Sequence, residues 1–107
     1  MNVESIRDYC LSLKGAVETF PFGDNVIVFK VNNKMFLLLP LDSEEVSFNV
    51  KCDPVYAVEL REQYSCIEPG YHMNKKHWNT ITVDGSLSKK LLMQFIDDSY
   101  RLVSKTK

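Results

Sequence analysis

The chain has 107 residues, of which 45% are hydrophobic and 25% charged, and its formal net charge is −1. Those proportions describe one ordinary globular domain spanning 1–107, long enough to bury roughly 60 to 70% of its unfolded surface in a single core. No apolar run approaches the ~20 residues that cross a bilayer, so no membrane role is expected.

In chain order, Ile6, Cys10 and Leu13 recur at helical spacing behind Asn2 as cap, and Gly15 stops that helix after Lys14, leaving Val17 outside it. Gly15–Asn25 reads as a loop with Phe20-Pro21-Phe22-Gly23 as its rigid turn. Val26–Val31 and Met35–Leu39 are β-branched and apolar runs, and Asn32-Asn33-Lys34 between them suits a tight hairpin because Asn tolerates positive φ. Val46–Lys51 alternates as a half-buried strand, with Val46, Phe48 and Val50 on one side and Ser47, Asn49 and Lys51 on the other. Asp53 and Pro54 then cap and open a second helix ending near Tyr64, with Val55, Val58, Ala57 and Leu60 expected toward the core. Cys66–Glu68 reads as a short strand and Trp78–Val83 as a longer one. A last helix over about Ser88–Ser104 presents a wide stripe of Leu91, Leu92, Phe95, Ile96, Leu102 and Val103.

The expected architecture is therefore α+β, a two-layer sandwich of order α-β(3)-α-β(2)-α. Three helices cover one face of an antiparallel five-stranded sheet. The other face is left to water. If Ile81 and Val83 point inward, Trp78, Thr80 and Thr82 point outward, and the same parity turns Val28, Lys30, Ser47, Asn49 and Lys51 out. An outward Trp78 costs hydration free energy unless a loop or a partner covers it.

The near-neutral charge hides an asymmetry: residues 1–70 carry six Lys and Arg against eleven Asp and Glu, and residues 71–107 carry seven against three. A basic surface built from the second part could meet phosphate or an acidic protein, or the two parts interleave and cancel. Cys10, Cys52 and Cys66 form an odd set without C-x-x-C spacing, which argues against a disulfide framework and a zinc site. Met1–Ser5 shows no basic segment leading into an apolar one, so no signal peptide is expected and cytoplasmic residence follows as the default.

The chemistry concentrates in Tyr71-His72-Met73-Asn74-Lys75-Lys76-His77-Trp78. His72 and His77 are five apart, off the i, i+4 spacing of a helical metal pair, so neither metal nor cofactor is expected. No elbow presents a nucleophile beside either histidine, and no Gly-rich loop suits a nucleotide, so the chain does not read as an enzyme. For binding the stretch is better furnished. Lys75 and Lys76 offer ammonium groups to phosphate, Asn74 an amide to base edges, and Tyr71 and Trp78 rings for stacking. Lys51 and Lys30 would support them from the sheet face. The same rings and amide serve equally well as anchors for a long loop, and His72 as a satisfied structural residue.

The run Pro69-Gly70-Tyr71-His72-Met73-Asn74-Lys75-Lys76-His77-Trp78-Asn79-Thr80 resembles the signature of the MmcQ/YjbR family of small bacterial proteins. Phe20-Pro21-Phe22-Gly23, Phe29-Lys30-Val31, Lys34-Met35-Phe36, Val50-Lys51-Cys52-Asp53-Pro54, Leu60-Arg61 and Ser99-Tyr100 follow that pattern in the same order. The resemblance implies the α-β(3)-α-β(2)-α fold, a topology like that of type III secretion chaperones and CyaY, and a DNA-binding role. Two functions are thus expected from the sequence. One is DNA or another phosphate-bearing ligand held by Lys75, Lys76, Asn74, His72, His77, Trp78, Tyr71, Lys51 and Lys30. The other is a protein-interaction or self-dimerisation surface on the open sheet face. A small-ligand site around His72 and His77 is the third reading.

Overall fold

A computed structural model describes residues 1–70 and 73–105. Helix α1, Val3–Ser12, starts in a capping box: Asn2 Oδ1 accepts the Ser5 amide at 2.8 Å, and Ser5 Oγ accepts the Asn2 amide at 2.9 Å. Ile6 and Cys10 are its buried face. Strand β1, Val17–Thr19, follows where the sequence reads as loop, so the sheet has six strands and not five. The strand is only three residues long, with no alternation of its own. Its place comes from pairing with β2, Val26–Val31, and from Arg7 of α1, whose Nε and Nη2 each reach Glu18 at 2.7 Å.

Asn32 and Asn33 turn the β2–β3 hairpin with φ of 52° and 65°, the paired positive angles of a type I′ turn. In β3, Lys34–Pro40, Phe29 pairs with Leu37 but Lys30 with Met35, so Phe36 is an extra residue that bulges the strand. The bulge puts both Phe36 and Leu37 into the core. Ser99 Oγ donates to the Phe36 carbonyl and accepts the Lys51 amide at 2.9 Å. A fully buried hydroxyl thus serves two strands at once.

Strand β4, Ser47–Lys51, pairs with β6, Trp78–Thr82, and β6 with β5, Ile67–Pro69, which completes the antiparallel order β1-β2-β3-β4-β6-β5. Helix α2, Pro54–Gln63, is capped by Asp53 as the sequence indicates, and α3, Lys89–Ser104, by Ser88. Buried residues of all three helices join one apolar cluster with Phe29, Leu37, Phe48 and Ile81 of the sheet. The face of α2 differs from expectation. Ala57 and Leu60 are buried, whereas Val55 is 70% exposed and Val58 is exposed as well. The rotation of α2 is set by Arg61 and the Ala57 carbonyl, both bonded to Asn79. Leu102 likewise lies outside the stripe, exposed at the end of α3.

The opposite sheet face follows the parity read from the sequence, with Ser47, Asn49 and Lys51 opposite Thr82, Thr80 and Trp78. Its centre is not a wet platform, however. Val28, Leu38 and Trp78 form a second small buried cluster, covered by Val26, Met35 and Met73.

Candidate functional site

The segment between β5 and β6 is fastened at many points. Gly70 donates its amide to the Trp78 carbonyl at 2.8 Å, and a Cβ on it would stand 2.8 Å from Trp78 Cβ, so only glycine allows the approach. The amides of His77 and Trp78 return to the Asn74 carbonyl at 3.2 and 3.0 Å. Asn74 Oδ1 accepts the Lys76 amide at 2.9 Å. Lys75 donates its ammonium to the Gly70 carbonyl at 3.2 Å, and its own carbonyl accepts from Arg61 Nη2. Arg61 Nε donates to Asn79 Oδ1 at 2.7 Å, and Asn79, 1% exposed, donates onward to the Ala57 carbonyl at 3.4 Å. The His77 carbonyl accepts the Cys52 amide at 2.7 Å.

Three of the residues singled out by the sequence, Asn74, Lys75 and Trp78, are thereby accounted for as anchors. Trp78 is 8% exposed inside its cluster, which leaves no ring face for base stacking. Asn74 is committed to the turn and Lys75 is tied back to Gly70, while Lys76 stays exposed and His77 half-buried. Lys51 and Lys30 sit half-exposed on the Trp78 side of the open face, opposite Trp78 and Met35 respectively, and neither forms an ion pair among the described residues. Tyr71 and His72 lie outside the described residues. Arg61 is the organising residue that sequence reasoning underrates: the dipole at a helix C-terminus suits a cation there, but its reach to Asn79 and two loop carbonyls carries the structural role.

Beside the small cluster the same face opens into a hollow of about 850 Å³, within the range of sites that enclose a drug-sized molecule. Phe22, Val26, Leu38, Pro40 and Met73 are its apolar walls. Ser47, Asn49 and Thr80 furnish a polar floor, and Thr80 Oγ1 donates to Asn49 Oδ1. Asn49 is 7% exposed, and its amide nitrogen has no protein partner among the described residues. Asp42, Glu68 and Lys75 complete the rim. Phe22 is 63% exposed, a large ring presented to solvent from the Phe20–Gly23 turn. The sequence shows none of this, because the hollow draws on segments far apart in the chain.

Charge is distributed unevenly along this face. The Leu41 amide donates to the Asn25 carbonyl at 2.7 Å, which joins the β1–β2 and β3–β4 connections at one end. Asp24, Asp42, Glu44 and Glu45 are exposed in those connections, and residues 19–29 and 35–50 contain no Lys or Arg. Lys30 and Lys51 mark the other end.

Cys10, Cys52 and Cys66 are all buried; burial pushes Cys10 up to about 12 and is the main cause lifting Cys52 to about 11, ahead of the nearby Asp53 and Asp98 carboxylates. Cys66, just before β5, is closed over, and Ser86 Oγ donates to its sulfur at 3.4 Å. Among the described residues no three of His, Cys, Asp and Glu converge as metal ligands, and no helix is long and apolar enough to cross a membrane.

Comparison with known proteins places this geometry in context. The YjbR family model matches residues 11–102. The uncharacterised protein YbdF of Escherichia coli O157:H7 is 36% identical over 100 residues, covering 94% of this chain and 82% of that protein. The uncharacterised protein YjbR of Escherichia coli K12 is 29% identical over 101 residues, covering 94% and 86%. Among solved structures, Deinococcus radiodurans protein DR2400, with a DUF419 domain, superposes with a TM-score of 0.93 at 39% identity, covering 98% of this chain and 80% of that one. A Pseudomonas syringae protein does so at 0.83 and 28% identity, over 96% and 99%. With the family model matching residues 11–102 and a relative 36% identical over 94% of the chain, the chain belongs to the YjbR family.

Proposed function

We propose that this protein is a non-enzymatic binding protein whose ligand, a small molecule with an apolar body, sits in the hollow on the helix-free sheet face. The observation that carries the reading is the hollow itself: apolar walls from Phe22, Val26, Leu38 and Met73 over a polar floor of Ser47, Asn49 and Thr80. A site built to hydrogen-bond one ligand group inside an apolar cleft has this composition. Three buried free thiols are compatible with a reducing cytoplasm.

A neutral probe tests it. For 2-phenylethanol, a ligand efficiency of roughly 0.5 kcal/mol for each of about nine heavy atoms gives a Kd near the millimolar range. Amide chemical-shift changes should centre on Val26, Leu38, Asn49 and Thr80, and Ser47→Trp, which fills the hollow, should abolish them. Shifts scattered over the surface, or unchanged by that substitution, would refute the reading.

A second reading, binding of nucleic acid, is favoured by Lys30 and Lys51 on the same face and by exposed Lys76. It comes second because the acidic connections share that face. Neutralising two to four phosphates would give a log–log salt slope of roughly −2 to −4 on duplex DNA. Lys75→Ala/Lys76→Ala should flatten that slope, and absence of binding at low salt removes the reading.

A further inference from the structure

Resting on the hollow as the binding site, we infer that its ligand is a cationic amine carried on an apolar, ring-sized body. Two of the three charged residues on the rim are carboxylates, Asp42 and Glu68, and neither is neutralised by an ion pair among the described residues. The one cation, Lys75, is drawn back onto the Gly70 carbonyl at 3.2 Å. The end of the hollow at Asp42 and Ser43 adjoins a stretch of exposed acids with no Lys or Arg in residues 35–50, so the field there favours positive charge. The floor places the Glu68 carboxylate in register with it. Asn49 sits between Leu38 and Thr80 in one cross-strand row that ends at Glu68, so amide, hydroxyl and carboxylate succeed each other along the row. An ammonium group, with three donors and no acceptor, matches the carboxylate end of that row. The apolar body lies against Phe22, Val26, Leu38 and Met73.

Three probes with one phenyl ring and different head groups separate this inference from the reading beneath it. They are 2-phenylethylamine, neutral 2-phenylethanol and anionic 3-phenylpropanoate, each titrated at low salt and followed by amide shifts. The amine should bind roughly three- to ten-fold more tightly than the alcohol, with the anion weakest, as expected for partly exposed charge pairs. Glu68→Gln should remove most of the amine's advantage over 2-phenylethanol, and amide shifts of the variant that match the parent away from the hollow show that it is folded. Equal affinity for amine and alcohol, or preference for the anion through Lys75, overturns the inference and leaves the hollow as a site. Failure of all three probes to shift the residues of the hollow overturns both.

Discussion

Replacing Arg61 by methionine keeps the length of the side chain but removes the fork that joins α2 to the β5–β6 segment. Asn79 Oδ1 loses its donor at 2.7 Å while the residue remains 1% exposed. An unsatisfied buried acceptor of that kind costs about 1 to 3 kcal/mol. The carbonyls of Lys75 and Trp78 lose their contacts with Nη2, but the first is exposed and water replaces part of the loss. The expected destabilisation is about 2 to 4 kcal/mol, a large share of the 5 to 15 kcal/mol typical of a domain. Urea titration should show it as a midpoint lowered by roughly 2 M, taking an m-value of 1 to 2 kcal/mol/M. Trp78, the single tryptophan of the chain, is a built-in reporter, since release of the segment exposes it and shifts its emission to the red. Arg61→Lys should recover only part of the stability, because an ammonium cannot serve Asn79 and two carbonyls together. A methionine variant within 0.5 kcal/mol of the parent, with unchanged Trp78 emission, would refute the anchoring role.

Ser99→Ala leaves the Phe36 carbonyl at the bulge and the Lys51 amide without their shared hydroxyl, and urea titration should show a loss of about 1 to 3 kcal/mol; a loss below 0.5 kcal/mol would mean that the bulge satisfies itself. Stability should also respond to acid at β1. The side-chain hydrogen bonds from Arg7 hold Glu18 below the usual carboxylate value, so this carboxylate contributes stability that is present above its unfolded value of about 4.3 and lost as pH falls through the lowered folded value. The stability difference between the parent and Glu18→Gln should therefore shrink below about pH 4.3; a difference that is the same at neutral and acid pH would contradict the assignment.

What could be read from the residues alone was local chemistry. Asn32-Asn33 specifies its own turn, Asp53-Pro54 its own helix start, and the alternation of Val46–Lys51 its own two faces. Those signals do not depend on distant partners. β1 was illegible because Val17–Thr19 is made a strand by β2 and by Arg7, not by its own pattern. The face of α2 was misread for a related reason: Val55 and Val58 are more apolar than Ala57, yet the bonds of Arg61 and the Ala57 carbonyl to Asn79 set the helix rotation. The outward direction of Trp78 followed from parity, and of the two covers expected for it, a loop or a partner, Met73 of the loop supplies one, beside Leu38 and Val28. The bulge at Phe36 left no mark in the sequence either. In the loop richest in recognisable chemistry Asn74, Lys75 and Trp78 are anchored, and the hollow is assembled from residues that look unremarkable one at a time. Phe22, Leu38, Asn49 and Glu68 become a site only when the antiparallel order brings them together.

The most direct test is a crystal structure of the protein grown with 2-phenylethylamine. The ring should lie against Phe22, Leu38 and Met73, with the ammonium group within hydrogen-bond distance of Glu68 or Asp42. Density for the amine elsewhere on the molecule, with the hollow holding only solvent, would contradict the binding role proposed for this face.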